Sequence, residues 1–256
     1  MRRTPFSVRL APWLFMLVGL LVWEAAVHVL KIPPFFLPPP TAVAGAFVEY
    51  WRPILNNSVY TLATTLMGFA LAVGFGLLLG LVVGWSRMVY AGTYPLMVGF
   101  NAIPKVAVVP ILVLWFGIGS VPAVLTAFLI SFFPIVVNVA TGLATIEPEL
   151  EDVLKALGAS KLDIMRKVGI PRALPYFFGS LKVAITLAFV GAVVSETVGS
   201  NKGIGKLMLD AQAAFQVPIV FAGLIVLAVL GILLYAATAM IETRFTGWAF
   251  RGQANR

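Results

Sequence analysis

The chain contains no cysteine and only one histidine, His28. The first absence excludes disulfide bonds, thiolate metal sites and cysteine nucleophiles, and a single histidine argues against a histidine metal site or a catalytic triad. Charged residues are also scarce, at 11% of 256 residues, whereas hydrophobic residues make up 61%. A soluble domain has about 25% charged and about 45–50% apolar residues. Together with a mean hydropathy of +1.00, this composition predicts a chain embedded in a lipid bilayer. It excludes a soluble enzyme, a DNA-binding domain and a disordered scaffold.

Six apolar stretches are long enough to cross a bilayer, which takes about 20 helical residues. They cover residues 13–30, 57–85, 93–117, 121–145, 181–198 and 217–241. A signal peptide is the alternative for the first stretch, but no small-x-small cleavage site follows it. Prolines between 33 and 40 end that stretch, and Thr41 is expected to cap an amphipathic segment over 42–51 near the membrane surface. We therefore predict an all-α membrane protein with six transmembrane helices.

The basic residues predict the orientation of the chain. Six spans place both termini on one side, and a cytoplasmic placement puts 13 lysines and arginines inside and 4 outside, with Lys105 within a span. This asymmetry is the positive-inside pattern, so the net charge of +8 reports topology and argues against nucleic acid as a partner. The predicted division is an N-terminal span with a periplasmic amphipathic segment (1–54), a transmembrane domain (55–250) and a cytoplasmic tail (251–256).

One long polar segment, residues 146–180, interrupts the apolar sequence on the cytoplasmic side. It holds ten of the 28 charged residues, and its acidic residues crowd a helix start, where the helix dipole favours anions. Gly158 is expected to end that helix, and Ser160 with Asp163 predicts a capping box on a second one. Pro171 and Pro175 are expected to close the segment.

This segment therefore predicts two short helices that meet at a glycine corner. Its apolar surface is expected from Leu157, Leu162, Ile164 and Met165. Two interpretations remain open, namely a stable surface hairpin and a docking knob for a cytoplasmic partner.

The same segment resembles the EAA loop of ABC-importer permeases, whose pattern is E-A-A-x3-G-x9-I-x-L-P. Here the pattern begins with Asp152-Val153-Leu154, continues through Gly158, and ends at Val168-Gly169-Ile170-Pro171. The spacing from the glycine to the proline matches in full, whereas Asp replaces Glu and Val-Leu replaces Ala-Ala. The resemblance covers about residues 55–250. Three further segments, 37–40, 101–119 and 195–205, are similar to permeases that import taurine, nitrate and aliphatic sulfonates.

The resemblance implies a type I ABC-importer permease in the inner membrane, with both termini cytoplasmic. It implies a homodimer that binds two cytoplasmic ATPase subunits and a periplasmic or lipid-anchored binding protein. ATP and Mg would lie on the ATPase subunit, and this chain would carry no cofactor. The implied substrate is small and anionic, such as a sulfonate, nitrate or carboxylate. Coupling to the ATPase is assigned to Asp152, Leu157, Gly158, Ala159, Ser160, Leu162, Pro171 and Pro175.

Candidate residues of the translocation pathway are Asn101, Pro104, Lys105, Asn138 and Glu196. A charge near the middle of a bilayer costs about 2.5–3.5 kcal/mol, so Lys105 should face a cavity or a partner. It is either a cation of the pathway or a structural lysine bonded to carbonyls freed by Pro104 and Pro110. Glu196 either lines the pathway or bonds the amides of the turn over 199–205 or Lys202.

Residues 199–206 have the glycines and lysine of a phosphate-binding loop, but their spacing differs, Leu207 replaces the Ser or Thr, and no strand precedes them. The chain is therefore expected to lack its own ATPase site. An ATP-independent secondary transporter or channel is the alternative, although it would need more intramembrane acids or histidines. Gly76, Gly80 and Gly84 are expected to pack against another helix of the same subunit, with the dimer interface as the alternative.

Overall fold

The computed structural model describes residues 6–145 and 147–247, except for the side chains of residues 6–9 and 148. These residues form eleven α-helices, a 3₁₀ turn at Lys105–Val108 and a π turn at Met165–Gly169, and they contain no strand. The helices are α1 (Phe6–Val29), α2 (Pro40–Glu49), α3 (Trp51–Gly84), α4 (Arg87–Ala102), α5 (Val109–Phe116), α6 (Ser120–Ala144), α7 (Pro148–Ala156), α8 (Lys161–Ile164), α9 (Ile170–Gly199), α10 (Ile204–Ala213) and α11 (Val217–Thr246).

The described residues contain five helices long and apolar enough to span a membrane, namely α1, α3, α6, α9 and α11. The predicted third span is not one straight helix. It consists of α4 and the segment 105–116, which meet at 69°. Ile103 adopts an extended conformation because the ring of Pro104 disfavours a helical residue before it. The break therefore follows from the proline that the sequence places there.

The packing of α3 on α6 shows that this bent pair crosses the bundle. Cβ atoms built on glycines of α3 would meet side chains of α6 in one register. The pairs are Gly68 with Ala127, Gly76 with Ile135, Gly80 with Val139, and Gly84 with Leu143. Both numbers in these pairs rise together, so α3 and α6 run parallel. The chain between them must return to the opposite end of the bundle, which makes α4 and α5 one bent span.

The remaining spans alternate in direction. Gly142 lies against Ala173 and Gly191 against Ala127, so α9 runs antiparallel to α6. The rings of Phe178 and Phe245 stack at the inner ends of α9 and α11, and Gly231 lies near Phe189 further along, so α11 runs antiparallel to α9. Trp23 near the end of α1 contacts Phe221 near the start of α11. Six crossings result, so the start of α1 and the end of α11 lie at the same end of the bundle, in agreement with the predicted even number of spans.

The glycines of α3 let the two helix backbones approach closely, as small residues do in lipid. A Cβ on Gly80 would lie 2.7 Å from the Cβ of Val139, and Val139 is only 1% exposed. The prediction that Gly76, Gly80 and Gly84 pack within the subunit is confirmed. The main core cluster, which includes Ile135, Val136 and Val139, lies along this interface and the adjoining face of α9.

One prediction about the polar segment over 146–180 is wrong. Pro171 and Pro175 do not close it, because α9 already begins at Ile170 and runs on to Gly199. Pro171 lies in the first turn of α9, directly after the π turn, and cannot donate a backbone hydrogen bond there. Pro175 lies inside the helix.

The sequence also did not predict how the outer surface is built. Thr41 does not cap α2, since Pro39 occupies the N-cap position. Instead the amide and hydroxyl of Thr41 donate to the Glu24 carboxylate at 3.1 and 2.8 Å, and His28 contacts the same carboxylate at 2.9 Å. Glu24 thereby ties α1 to α2.

The predicted second span starts early, at Trp51, so the expected domain boundary at residue 54 falls inside α3. The expected tail over 251–256 lies outside the described residues.

Candidate functional site

The first candidate site is the cytoplasmic hairpin, which we define as residues 147–169. Its first helix, α7, ends in a Schellman motif, with the amide of Gly158 bonded to Lys155 O at 2.9 Å and that of Ala159 to Leu154 O at 3.0 Å. Gly158 has φ +84°, which is the left-handed region that glycine adopts without strain. The predicted glycine corner is thus confirmed in geometry.

A capping box begins the second helix of the hairpin. The Ser160 hydroxyl accepts from the amide of Asp163 at 3.2 Å, and the Asp163 carboxylate accepts from the amide of Ser160 at 3.2 Å. The Ser160 hydroxyl also donates to that carboxylate. Both ends of the corner are therefore fixed by local bonds, which gives the hairpin a defined shape.

The hairpin presents leucines to water. Leu157 is 78% exposed and Leu162 is 63% exposed, whereas Ile164 and Met165 are buried against the bundle. Of the four residues expected to form the apolar surface, two therefore do so and two anchor it. Asp152 is exposed beside them and lies 3.8 Å from the Lys155 ammonium. A rigid, partly apolar surface of this kind is suited to being covered by another protein.

One exposed ion pair links the start of the hairpin to α9, and a second lies within α7. Arg172 at the start of α9 lies 3.4 Å from Glu147, which joins the two ends of the hairpin. Lys155 lies 2.9 Å from Glu151 within α7. The hydrogen bond from Lys155 holds the pKa of the Glu151 carboxyl below its usual range, and the same bond raises the pKa of Lys155. Glu151 is thus the negative partner of the pair at neutral pH.

The hairpin joins the membrane domain without a flexible linker. The chain is helical from Lys161 to Gly199, through α8, the π turn and α9. Pro171 and Pro175, both half-buried, therefore lie where the hairpin meets the fifth span rather than on the hairpin surface. Any displacement of the hairpin acts directly on α9.

The second candidate region holds the residues predicted for the translocation pathway. Lys105 begins the 3₁₀ turn that follows the break at Pro104, and its ammonium donates to Asn101 O at 3.2 Å and Asn101 Oδ1 at 2.8 Å. The ammonium also lies 5.6 Å from the ring centre of Phe133 and 6.0 Å from that of Phe100. The end of α4 leaves the Asn101 carbonyl without its helical partner, and Lys105 supplies one. Its side chain is half-exposed.

Asn138 does not join Lys105 and Asn101 in one hydrogen-bonded group. Its amide donates to the Pro134 carbonyl of the same helix at 2.8 Å. Pro104 itself is exposed and lies at the start of the 3₁₀ turn. Of the five pathway candidates, Asn101, Pro104 and Lys105 thus lie together at the bend of the third span.

Glu196 lies elsewhere, fully buried near the outer end of α9. One carboxylate oxygen accepts from the Thr61 hydroxyl at 2.9 Å and from the Gly205 amide at 3.1 Å. The amide of Ile204 donates to Thr61, and the amide of Gly203 donates to Asn57 Oδ1 at 2.7 Å. The three successive backbone amides of residues 203–205, at the start of α10, therefore donate hydrogen bonds to side chains of α3 and α9. This geometry favours the second of the two interpretations of Glu196, a bond to the turn over 199–205.

Sequence analysis did not single out Asn57 and Thr61, nor helix α10 itself. A signal for the first two was present, because polar residues four apart at the start of an apolar span lie on one helix face. Nothing in the sequence paired them with a turn about 140 residues later. The described residues contain no cluster of His, Cys, Asp or Glu that could hold a metal ion.

Comparison with known proteins adds to this geometry. Residues 72–247 match the family described as the inner membrane component of binding-protein-dependent transport systems. A formylaminopyrimidine transport permease of Halalkalibacterium halodurans is 34% identical over 245 residues, which cover 93% of this chain and 96% of that protein. A riboflavin transport system permease of Chloroflexus aurantiacus is 35% identical over 234 residues, covering 90% and 86%. A taurine transport system permease of Escherichia coli is 26% identical over 238 residues, covering 90% and 86%.

A structure of the MetNI methionine ABC transporter in an inward-facing conformation has a similar fold. It superposes with a TM-score of 0.66 at 21% identity and covers 77% of this chain and 98% of that one. The spans, the hairpin and the family match lead to the same assignment. The chain belongs to the inner membrane components of binding-protein-dependent transport systems, as a multi-pass permease subunit of an ABC transporter with the type I importer fold.

Proposed function

We propose that this chain is one of two identical permease subunits of an ATP-driven importer. Its partners in this proposal are two cytoplasmic ATPase subunits, which bind ATP and Mg, and a periplasmic or lipid-anchored substrate-binding protein. The cytoplasmic hairpin docks on an ATPase subunit through Leu157 and Leu162. The observation that carries the proposal is that these exposed leucines flank a corner fixed by a Schellman motif and a capping box.

The proposed docking explains why the hairpin is rigid. ATP-driven closure of the ATPase subunits moves the surface on which the hairpin lies. A flexible hairpin would bend and would not transmit this movement to the membrane helices. A rigid hairpin packed against them does transmit it. Because the hairpin continues into α9 without a linker, the fifth span tilts with it.

Substitution of Gly158 tests the docking role. Gly158→Arg forces a side chain into a left-handed conformation, which costs about 1–2 kcal/mol, and adds bulk to the docking surface. We expect the transporter to assemble and hydrolyse ATP while uptake falls. Gly158→Asn is the matched control, since asparagine adopts this conformation more readily. Normal uptake by Gly158→Arg in proteoliposomes would remove the coupling role of the hairpin.

We propose that the substrate is a small organic anion and that Lys105 helps it to pass. The support is a half-exposed ammonium group at the bend of the third span, where α4 has no buried residue and is free to face a central pathway. A neutral or zwitterionic heterocycle is the second candidate. The rings of Phe100 and Phe133 beside Lys105 would stack on such a molecule, and the relatives at 34–35% identity carry the names of formylaminopyrimidine and riboflavin systems.

The cognate binding protein and two variants separate these candidates. The binding protein is tested by calorimetry against ethanesulfonate, taurine, riboflavin and an aminopyrimidine. Lys105→Ala should lower uptake of a bound anion without loss of assembly. Lys105→Arg is the control, because it keeps the positive charge. Unchanged uptake by Lys105→Ala would leave this lysine a structural role only.

An ATP-independent secondary transporter or channel is the rival proposal from another class. It predicts uptake that follows an ion gradient and persists without an ATPase subunit. Purification of the tagged permease from its native membrane decides the matter. Co-purification of a nucleotide-binding subunit supports the importer, whereas gradient-driven uptake by the isolated chain overturns it.

A further inference from the structure

Two contacts join the inner halves of α9 and α11. The Lys182 ammonium lies 2.6 Å from Glu242 Oε2. One turn closer to the cytoplasm, Phe178 and Phe245 stack with their ring centres 5.2 Å apart and their planes at 2°. Glu242 lies over this face of α9, since a Cβ built on Gly179 would make an ordinary van der Waals contact, at 3.8 Å, with Glu242 Oε1. Lys182 is one of the 13 basic residues that the orientation predicted from the sequence places on the cytoplasmic side, and Glu242 was not considered there.

The ion pair is largely shielded from solvent. The side chain of Lys182 is 27% exposed and that of Glu242 is 13% exposed. The two belong to different helices and are 60 residues apart in sequence. In such surroundings, removal of one partner leaves an uncompensated charge, which is far more disruptive than loss of an exposed pair. The pair is therefore a strong constraint on the relative position of α9 and α11.

The inner half of α11 depends on this constraint. At its outer end α11 packs against α2, α10 and Trp23, and Gly223 fits against Met208. Further in, its side chains are mostly exposed. The large ones are Ile232, Leu233, Tyr235, Met240, Ile241 and Phe245. Among the residues that the structure describes, α11 packs against α9, α10, α2, a few residues of α3 and Trp23 of α1, and against no part of the hairpin. Movement of the hairpin thus reaches α11 through α9.

We infer that Lys182 and Glu242 form a transmission pair that makes the inner halves of α9 and α11 move as one body during the transport cycle. The inference rests on the proposed function, because it requires an ATPase to drive the hairpin. The pair acts through the position of helices, so both residues are positioning residues. Without the pair, α9 moves under the hairpin and the inner half of α11 stays behind.

Charge reversal tests the pair in the complete transporter, reconstituted in proteoliposomes with its ATPase subunits. The measured quantity is the stimulation of ATP hydrolysis by the binding protein. Lys182→Glu and Glu242→Lys should each reduce the stimulation about tenfold, within the range of coupling between distant sites. The double variant Lys182→Glu/Glu242→Lys should restore it. The control is the same exchange at Lys206 and Asp210, an exposed pair within α10, which should change nothing.

A cross-link separates common movement from mere stability. Since the chain has no cysteine, Lys182→Cys/Glu242→Cys gives one defined thiol pair, which a short bismaleimide joins. If α9 and α11 move as one body, the linked transporter keeps the stimulation that the unlinked double variant loses. Loss of stimulation on linking shows that the helices must slide past one another, which overturns the inference.

The outcomes also separate this inference from the proposed function. If the binding protein does not stimulate ATP hydrolysis by the wild-type complex, the proposed function is wrong. The inference about the transmission pair, which rests on it, is then wrong as well. If the wild type responds and both single reversals respond equally well, only the transmission pair is wrong. Failure of a reversal variant to assemble leaves the cross-link as the deciding measurement.

Discussion

Gly203 and Glu196 lie so close together that no side chain fits between them. A Cβ on Gly203 would overlap the carboxyl group of Glu196, and Gly203 has φ +108°, which side chains disfavour. The contact places the start of α10 directly over the carboxylate. Helix N-termini favour negative charge, so the position of Glu196 also suits the dipole of α10.

Gly203→Ala should therefore destabilise the subunit. The added methyl group must displace either the buried carboxylate or the turn, and the backbone strain alone costs about 1–3 kcal/mol. We expect a lower unfolding temperature in detergent and a smaller folded yield. Gly45→Ala in α2 is the control, because a Cβ there meets nothing within 4 Å. Equal stability of the two variants would contradict the close contact.

The hydrogen bonds of Glu196 predict different results for two substitutions. Glu196→Gln keeps an oxygen that accepts from Thr61 and Gly205, so we expect a stability near that of the wild type. Glu196→Ala leaves these buried donors without a partner, which costs about 1–3 kcal/mol. Denaturation of the purified subunit in mixed micelles measures both. If Gln is as damaging as Ala, charge rather than hydrogen bonding is the important property of this residue.

Two glycines of α3 are expected to respond in opposite ways to the same change. Gly80→Ala puts a methyl group 2.7 Å from the Cβ of Val139 and should weaken the contact between α3 and α6. Gly74→Ala meets nothing within 4 Å, and alanine is favoured over glycine inside a helix by about 1 kcal/mol. Thermal unfolding of the two variants under identical conditions gives the comparison. A neutral Gly80→Ala would show that the helices separate easily.

The two N-cap serines give a similar contrast at the cytoplasmic side. Ser160→Ala removes the side chain that accepts from the Asp163 amide and should cost about 1 kcal/mol locally. Ser86 occupies the N-cap of α4 without a side-chain cap bond, so Ser86→Ala should have little effect. Hydrogen exchange of the amides over 161–164 reports the difference. Unchanged protection in Ser160→Ala would mean that the corner is held by other contacts.

The hairpin was predictable because its determinants are local. Gly158, Ser160 and Asp163 lie within six residues of one another, and each specifies a known helix end. The break at Pro104 was likewise visible in sequence, but its 69° angle depends on how α4 and α5 pack. The bond from Gly205 to Glu196 lies within the turn that the sequence offered as a partner, but the bond from Thr61 was not predictable, because Thr61 lies 135 residues away. For the same reason the pairing of Lys182 was not predictable, since only the packing of α11 brings Glu242 to it.

The parallel packing of α3 and α6 has a consequence for synthesis of the chain in the membrane. Gly80 and Val139 are separated by 59 residues, which include both halves of the bent span. When α3 leaves the ribosome, the surface that will fit α6 has no partner, and no neighbour in sequence can cover it. The glycine row must stay open to lipid until two further crossings have been inserted. Assembly of this subunit therefore cannot proceed hairpin by hairpin, and the contact between α3 and α6 forms only after four of the six crossings are in place.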